Sequence, residues 1–515
     1  MWVYPEIRTL GDLPGYYARK RPEALALVFE GRGTSWVELE SKSARFAAFL
    51  AAEGIGRGDC VAYLGKNSDD FFIVMFGAAK AGAAFLPLNW RLATPEIDEV
   101  LQDGRPRLIV FEEDLAPLMP AVVAGSRAIP IGEDRRIDAY QAESGKKGPP
   151  ARVSEDDVAI LLYTSGTTGQ PKGVLLTHGS LNRMRLCEHL EPAFLWEDDD
   201  SFLFNLPNFH LLGIGLSLQC LYNGLTLFIQ RRFDPAATLA ALGVARPTLL
   251  VLTPVMIQML LDHPDAATAD FSSVRLTMYA GSPISLGLIK RAIAVMPCRF
   301  MQFYGATESA GALSLLRPEE HDLSDESTLK SCGRPLPFVE FRIVDPTGRE
   351  MPLGEPGELL VRTPAISAGY LNKPEATMAV FRQGWYATGD IAYRDAAGLY
   401  FIVDRVKDMI ITGGENVYSA EVEHALSTHP AVSATAVIGV PDEKWGEAIK
   451  AVVVLKEGAS ADAQELTHHC RARLAGYKVP KSFDIVAELP CTSTGKIAKK
   501  DLRAKYWSEQ QRSIA

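Results

Sequence analysis

Tyr163-Thr164-Ser165-Gly166-Thr167-Thr168-Gly169-Gln170-Pro171-Lys172-Gly173 is entered directly from the apolar run Ala159-Ile160-Leu161-Leu162. It reads as a phosphate-gripping loop. Glycine lets the backbone turn N–H groups toward anionic oxygens, the hydroxyls add donors, and Lys172 supplies a point charge. The spacing is not that of a Walker loop, because Lys172 follows Gln170-Pro171 and precedes Gly173, which argues against an ordinary P-loop ATPase or kinase. The same composition suits a polar surface linker. What the rest of the chain builds decides between the two.

At 515 residues the chain exceeds a single core, and roughly 150 residues per domain predicts about three units. A hydrophobic share of 47% and a charged share of 23% are those of a globular protein. The net charge of −10 argues against nucleic acid held on a broad basic face. Seven cysteines (Cys60, Cys187, Cys220, Cys298, Cys332, Cys470 and Cys491) are scattered and odd in number, which predicts a reduced compartment and no zinc site. The sequence shows no basic-then-apolar leader and no apolar run of the ~20 residues a membrane span needs. A cytoplasmic protein with no integral membrane segment is expected.

Apolar strands alternate with amphipathic segments along the first half. Ser43 to Glu53 reads as helix, Cys60 to Leu64 as strand, Asp69 to Lys80 as helix and Ala84 to Leu88 as strand. The alternation resumes with strand Ser201 to Leu206, helix near Leu211 to Leu221, strand Leu225 to Ile229, helix near Pro235 to Leu242 and strand Thr248 to Thr253. Such β-α-β repeats predict an α/β protein with two largely parallel sheets packed together and flanked by helices. After about Leu336 turns become dense, at Pro346-Thr347-Gly348, Gly354-Glu355-Pro356-Gly357 and Asp395-Ala396-Ala397-Gly398, and predict a small β-subdomain. Beyond the charged run Asp404-Arg405-Val406-Lys407-Asp408, Ser419 is expected to cap a helix to Leu426. Strands Ala434 to Val440 and Lys450 to Leu455 and a helix from about Ala461 to Leu474 should follow, making a separate small α+β domain. The charged run suits a surface turn or a hinge.

Three further turns accompany the loop. Tyr304-Gly305-Ala306-Thr307-Glu308 places a ring, a hydroxyl and a carboxylate together, suited to stack a purine and to hold magnesium through oxygen. Gly384-Trp385-Tyr386-Ala387-Thr388-Gly389-Asp390 ends in an acid able to accept from ribose hydroxyls, and Thr492-Ser493-Thr494-Gly495-Lys496 carries a second lysine.

Together, in this order, these segments resemble the ANL superfamily of AMP-forming adenylating enzymes, over almost the whole chain. The resemblance implies a domain of residues 1–403 holding ATP and the acid, a hinge at 404–408, and a mobile C-terminal domain of 409–515. It implies that Thr164, Ser165, Gly166, Thr167, Thr168 and Lys172 cradle the triphosphate. Gly281 and Ser282 would border the adenine, with Gln302 at its edge and Tyr304 stacking on it. Thr307 would contact the α-phosphate, Glu308 would ligate Mg2+, and Asp390 and Arg405 would hold the ribose. Lys496 would be the catalytic lysine and Lys407 the hinge residue. Coenzyme A would meet Gly413 and Gly414, with Trp445, Tyr477 and Lys481 around it. Val479 stands where some relatives have arginine, and a homodimer is compatible with the family.

In such an enzyme a carboxylate, which lacks a leaving group, becomes a mixed anhydride with AMP, and a thiol then takes the acyl group. Within Asn205-Leu206-Pro207-Asn208-Phe209-His210-Leu211-Leu212-Gly213, His210 matches a gating position beside the acyl pocket. No aspartate stands there to bind an ammonium, which disfavours amino-acid substrates. Gly213, Gly215, Gly305 and Ala306 are expected to leave a channel walled by Phe209, Leu211, Leu212 and Ile214. A medium- or long-chain fatty acid is favoured, and an aryl or cyclic acid fits as well. Delivery to a carrier protein or to oxygen chemistry, and a catalytically silent binding protein, are the other readings. The complete set of Lys172, Glu308, Asp390 and Lys496 argues against silence.

Overall fold

A computed structural model describes residues 5–120, 125–132, 136–141, 152–165, 171–413, 415–442, 444–491 and 497–507. The chain forms two compact units, one of Met1–Phe341 with Val361–Tyr386 and one of Arg342–Leu360 with Ala387–Ala515.

The helix Asp69–Ala81 explains the layering of the first unit. Ser68 caps its N-terminus by accepting from Phe71 N at 3.2 Å, and Gly82 ends it in the left-handed conformation at φ 80°. Between these stops nearly every residue is buried, including Phe71, Phe72, Ile73, Val74, Met75 and Phe76. A helix apolar all round needs cover on both sides. It packs on strand Leu25–Phe29 of one sheet and on strands Cys60–Leu64 and Ala84–Pro87 of another.

Among the described residues the first of these sheets has nine strands. Their order is Arg334–Pro335, Gly311–Leu316, Arg299–Ala306, Leu276–Tyr279, Leu249–Leu252, Ser201–Phe204, Thr226–Ile229, Leu25–Phe29 and Arg32–Ser35. The other has six, in the order Arg127–Ile131, Leu108–Glu112, Cys60–Leu64, Ala84–Pro87, Val158–Ser165 and Pro171–Thr177. Most pairings are parallel, as the β-α-β alternation predicts. Two asparagines fasten the sheets beyond their strand ends. Asn67 donates to Leu206 O at 2.9 Å and Gln230 O at 3.0 Å, and Asn208 donates to Gly65 O at 3.0 Å.

The helix expected from Ser43 begins two turns earlier, spanning Trp36–Ala52. Its start is a reciprocal capping box between Ser35 and Glu38, a signal that apolar periodicity alone does not register. The turns expected after Leu336 are present: Asp345 N donates to Arg349 O at 2.9 Å, Glu355 N to Pro352 O at 3.1 Å and Asp395 N to Leu399 O at 3.0 Å.

In the second unit, a five-stranded sheet carries Glu415–Val417, Ile410–Thr412, Gly446–Leu455, Val432–Asp442 and Ser482–Ile485. Its core includes Ile410, Val422, Leu426, Val437, Ile449, Leu466 and Val479. The helix Ser419–Ser427 corrects one expectation, because Ser419 is its first residue and does not cap it. The buried Asp404 carboxylate takes that role, accepting from Ser419 N and, at 2.8 Å, from Ser419 Oγ. A cap supplied from fifteen residues away leaves no local sequence signal. Asp404→Ala should therefore lower unfolding stability by about 2 kcal/mol, read as a shift of the denaturation midpoint at constant m-value.

Candidate active site

Candidate residues of the first unit lie where its parallel strands end. Strand Leu276–Tyr279 runs into Gly281 and Ser282, Arg299–Ala306 into Thr307 and Glu308, and Ser201–Phe204 into the segment ending at His210. Val158–Ser165 lies parallel to Ala84–Pro87 and leads into the phosphate loop, with Thr164 and Lys172 paired across the hairpin. Crevices at the carboxyl ends of parallel strands are the usual ligand sites of α/β sheets. Gly166, Thr167 and Thr168 lie outside the described residues.

Glu308 sits in the short turn Thr307–Ser309, with Ala310 beyond it at φ 58°. Its Oε1 accepts from the Tyr370 hydroxyl at 2.8 Å, and its carbonyl accepts from Ser367 N at 2.8 Å. Tyr370 also presents its ring to Lys172, whose Nζ lies 5.1 Å from the ring centroid. The segment from Ser367 to Leu371 follows strand Pro171–Thr177 closely. Leu175 N donates to Gly369 O at 3.0 Å, Ala368 N to Leu175 O at 2.9 Å and Leu371 N to Gly173 O at 2.8 Å. Sequence reading missed Tyr370, since nothing local to Gly369-Tyr370 announces a carboxylate partner sixty-two residues away.

Among the described residues no three acids, histidines or cysteines gather as a metal cage. A single half-buried carboxylate nevertheless fits Mg2+, which keeps several waters and takes most other ligands from phosphates. The purine side offers a second fit. Gln302 lies beside Tyr279 in register, and its buried Oε1 has no hydrogen-bond partner. An orphaned acceptor suits an exocyclic amine. Tyr304 is half-buried on the same strand, edge-on to Phe341 at 6.5 Å. Gly281 adopts φ 92°, a conformation that excludes most side chains.

His210 caps the helix Leu211–Tyr222, its Nδ1 accepting from Leu212 N at 3.2 Å, which leaves the proton on Nε2. The expected channel needs correction at two glycines. A Cβ on Gly213 would lie 2.3 Å from Pro207 O and one on Gly305 would lie 2.3 Å from Gly311 O, so both glycines serve close backbone packing. At Gly215 a Cβ would meet only Leu211, at 3.7 Å, and at Gly281 it would meet Thr253 at 3.7 Å and Leu212 at 3.8 Å, ordinary van der Waals contacts with side chains and not with backbone.

In the second unit Asp390 and Arg405 face each other across paired strands. Arg405 Nε donates to Asp390 Oδ1 at 2.6 Å, and Asp390 N donates to Thr388 Oγ1 at 3.0 Å. Burial lowers the pKa of the Lys407 ammonium, Asp408 opposes this, and Arg405 and Arg503 reinforce it. Burial alone would raise the Asp408 carboxyl, but Arg503 and Lys499 outweigh it and hold that group below the ordinary range. The helix Lys499–Ala504 is thus tied down at both ends: Arg503 pairs with Asp408 at 2.7 Å, and Lys499 reaches Glu423 and Ser419 Oγ, each at 2.7 Å. Lys496 and Gly414 lie outside the described residues. Gly413, at φ 61°, lies against Trp445, where a Cβ would come within 2.8 Å of the ring. Trp445 is 42% and Tyr477 44% exposed, so both are rim groups and not core, and Lys481 is exposed too. Val479 is buried in the core and offers no charge to a ligand.

The chain belongs to the AMP-binding enzyme family of the ANL superfamily, whose main domain matches residues 16–371 and whose C-terminal domain matches residues 421–496. Within it the chain groups with the acyl- and aryl-CoA ligases. It is 41% identical to feruloyl-CoA synthase of Amycolatopsis sp., across 96% of this chain and 99% of that one. It is 35% identical to the fatty acid–[acyl-carrier-protein] ligase ScoC of Streptomyces coeruleorubidus, across 99% of each. The solved structure of o-succinylbenzoate coenzyme A synthetase (MenE) from Bacillus subtilis with ATP and magnesium superposes with a TM-score of 0.83 at 29% identity, across 96% of this chain and 98% of that one. No helix among the described residues is long and apolar enough to cross a membrane.

Gly413→Ala should displace the Trp445 ring and cost about 1 kcal/mol through the positive φ. The displacement is measured as a change in the tryptophan emission that a Trp445→Phe background removes.

Proposed function

We propose that this protein activates an apolar carboxylic acid with ATP and Mg2+ to acyl-AMP and pyrophosphate, then transfers the acyl group to coenzyme A. The observation that carries this reading is the meeting of Lys172, Tyr370 and Glu308 at the carboxyl end of the parallel strands. Two anions, the acid and the triphosphate, must approach one another, and the chain supplies charge to allow it. Lys172 would neutralise the phosphates with Thr164 and the hydroxyls of the loop, and Thr307 would meet the α-phosphate. Glu308 would hold Mg2+, which supplies charge neutralisation on the phosphate oxygens. Gln302 and Tyr304 would bind the purine, and Asp390 with Arg405 the ribose.

Lys496 would bridge the attacking carboxylate and the α-phosphate as negative charge shifts between them. Rotation of residues 409–515 about Lys407 would then withdraw it and bring Gly413, Trp445, Tyr477 and Lys481 to the thiol substrate. A half-buried Lys407 whose ammonium is already destabilised suits a residue that changes surroundings between two states.

A medium- or long-chain fatty acid is the first reading of the substrate, supported by the apolar residues Phe209, Leu211, Leu212 and Ile214 around His210 and by the likeness to a fatty-acid ligase. An aryl acid is the second, favoured by the higher identity to feruloyl-CoA synthase. A panel of alkyl and aryl acids assayed for coenzyme-A-dependent AMP release tests both. AMP release that depends on a carrier protein instead would reassign the acceptor.

Lys496→Ala should lower acyl-AMP formation a hundredfold or more, by roughly the effect of removing one preorganised donor, and spare thioester formation from supplied acyl-AMP. Equal loss of both half-reactions would contradict the role. Lys407→Pro should do the reverse, sparing adenylation and blocking thioester formation. An unchanged overall rate would remove hinge motion from the scheme.

A further inference from the structure

We propose that Tyr370 is a positioning residue that sets Glu308 and Lys172 as one charge pair, so that the carboxylate offered to the metal and the ammonium offered to the phosphates are oriented together. The proposal rests on the reading of those two residues given above.

The main chain of Tyr370 is itself anchored on both sides. Its N–H donates to Thr377 Oγ1 at 3.0 Å, and its backbone bridges Val174, on the strand that carries Lys172. The preceding Gly369 adopts φ 109°, and a Cβ there would lie 2.5 Å from Thr377 Cγ2, so the chain is fixed where the ring departs. The ring is buried, at 8% exposure, and a buried phenol must find an acceptor. It uses a carboxylate, Glu308 Oε1, and so fixes the rotation of the acid through a charge-assisted bond.

The two contacts reinforce each other. A phenol donating to a carboxylate gains electron density in its ring, and a richer ring holds a cation more strongly over its face. Lys172 Nζ stands 5.1 Å from that centroid. Ser367 N on the Glu308 carbonyl ties the same segment to the turn by a separate bond, so the hydroxyl is not needed merely to close the fold. Groups that orient a metal ligand from behind commonly tune affinity for the metal.

The test is nucleotide binding by titration calorimetry without any acid substrate, once with ATP and Mg2+ and once with ATP in chelator. Tyr370→Phe keeps the ring under Lys172 and removes only the hydroxyl. It should weaken Mg2+-ATP binding roughly tenfold, the size expected for a hydrogen bond to a charged group, and weaken chelated ATP binding much less, because the ring stays under Lys172 and only its polarisation is lost. Tyr370→Leu removes the ring as well and should weaken both. Wild-type affinities for Tyr370→Phe in both conditions would overturn the proposal, and so would an equal loss in both, which marks packing alone. Failure of the wild-type chain to bind ATP in either condition would instead remove the adenylating reading on which the proposal stands.

Discussion

A helix with no polar face is the constraint on which the first unit depends. Asp69–Ala81 buries its aromatic and aliphatic side chains against a sheet on each side and against the helix Trp36–Ala52. Nearly parallel β-α-β construction on both sides follows, and with it a set of strand carboxyl ends from which loops can reach a common ligand. Asn67 and Asn208 then pin the loops of one sheet to those of the other through backbone carbonyls. The apolar core thus fixes where polar chemistry can be placed, although none of its side chains takes part in that chemistry.

Charge is handled differently in the two units. In the first, Lys172 and Glu308 are held near one another by a tyrosine and a stretch of main chain, and both stay partly accessible. In the second, Asp404 and Asp408 are buried, with the half-buried Glu423, Lys499 and Arg503 beside them. Burial raises the carboxyls of Asp404 and Glu423, with Lys499 opposing it in each case, while Arg503 with Lys499 pulls Asp408 below its ordinary range. Removing one member of such a network leaves a buried charge unpaired, which costs far more than an exposed pair contributes. The turn next to Lys407 is therefore defined by electrostatics as well as by backbone geometry.

Much of the fold was legible because its signals are local. Strand Cys60–Leu64 was expected with its true limits, and helix Leu211–Tyr222 to within one residue, since an unbroken apolar run needs no distant partner. Helix Trp36–Ala52 was read short because its first turns are specified by Ser35 with Glu38 more than by periodicity. Ser419 was misread as a cap because Asp404, remote in sequence, supplies the acceptor. The candidate site divides the same way. Thr164, Lys172, Thr307, Glu308 and Asp390 stand out by composition and order, whereas Tyr370 is defined only by what it touches.

By itself the sequence determined the α/β class, the order of the adenylating motifs and the net acidic charge, all of which follow from residue type and short-range spacing. Only the tertiary structure decided that Gly213 and Gly305 serve backbone packing while Gly215 and Gly281 face side chains at ordinary contact distance, because a missing Cβ has meaning only beside the atoms it would strike. It likewise decided that Arg405 faces Asp390 and that one phenol spans Lys172 and Glu308. Such pairings join groups far apart along the chain, and chain separation carries no record of distance in space.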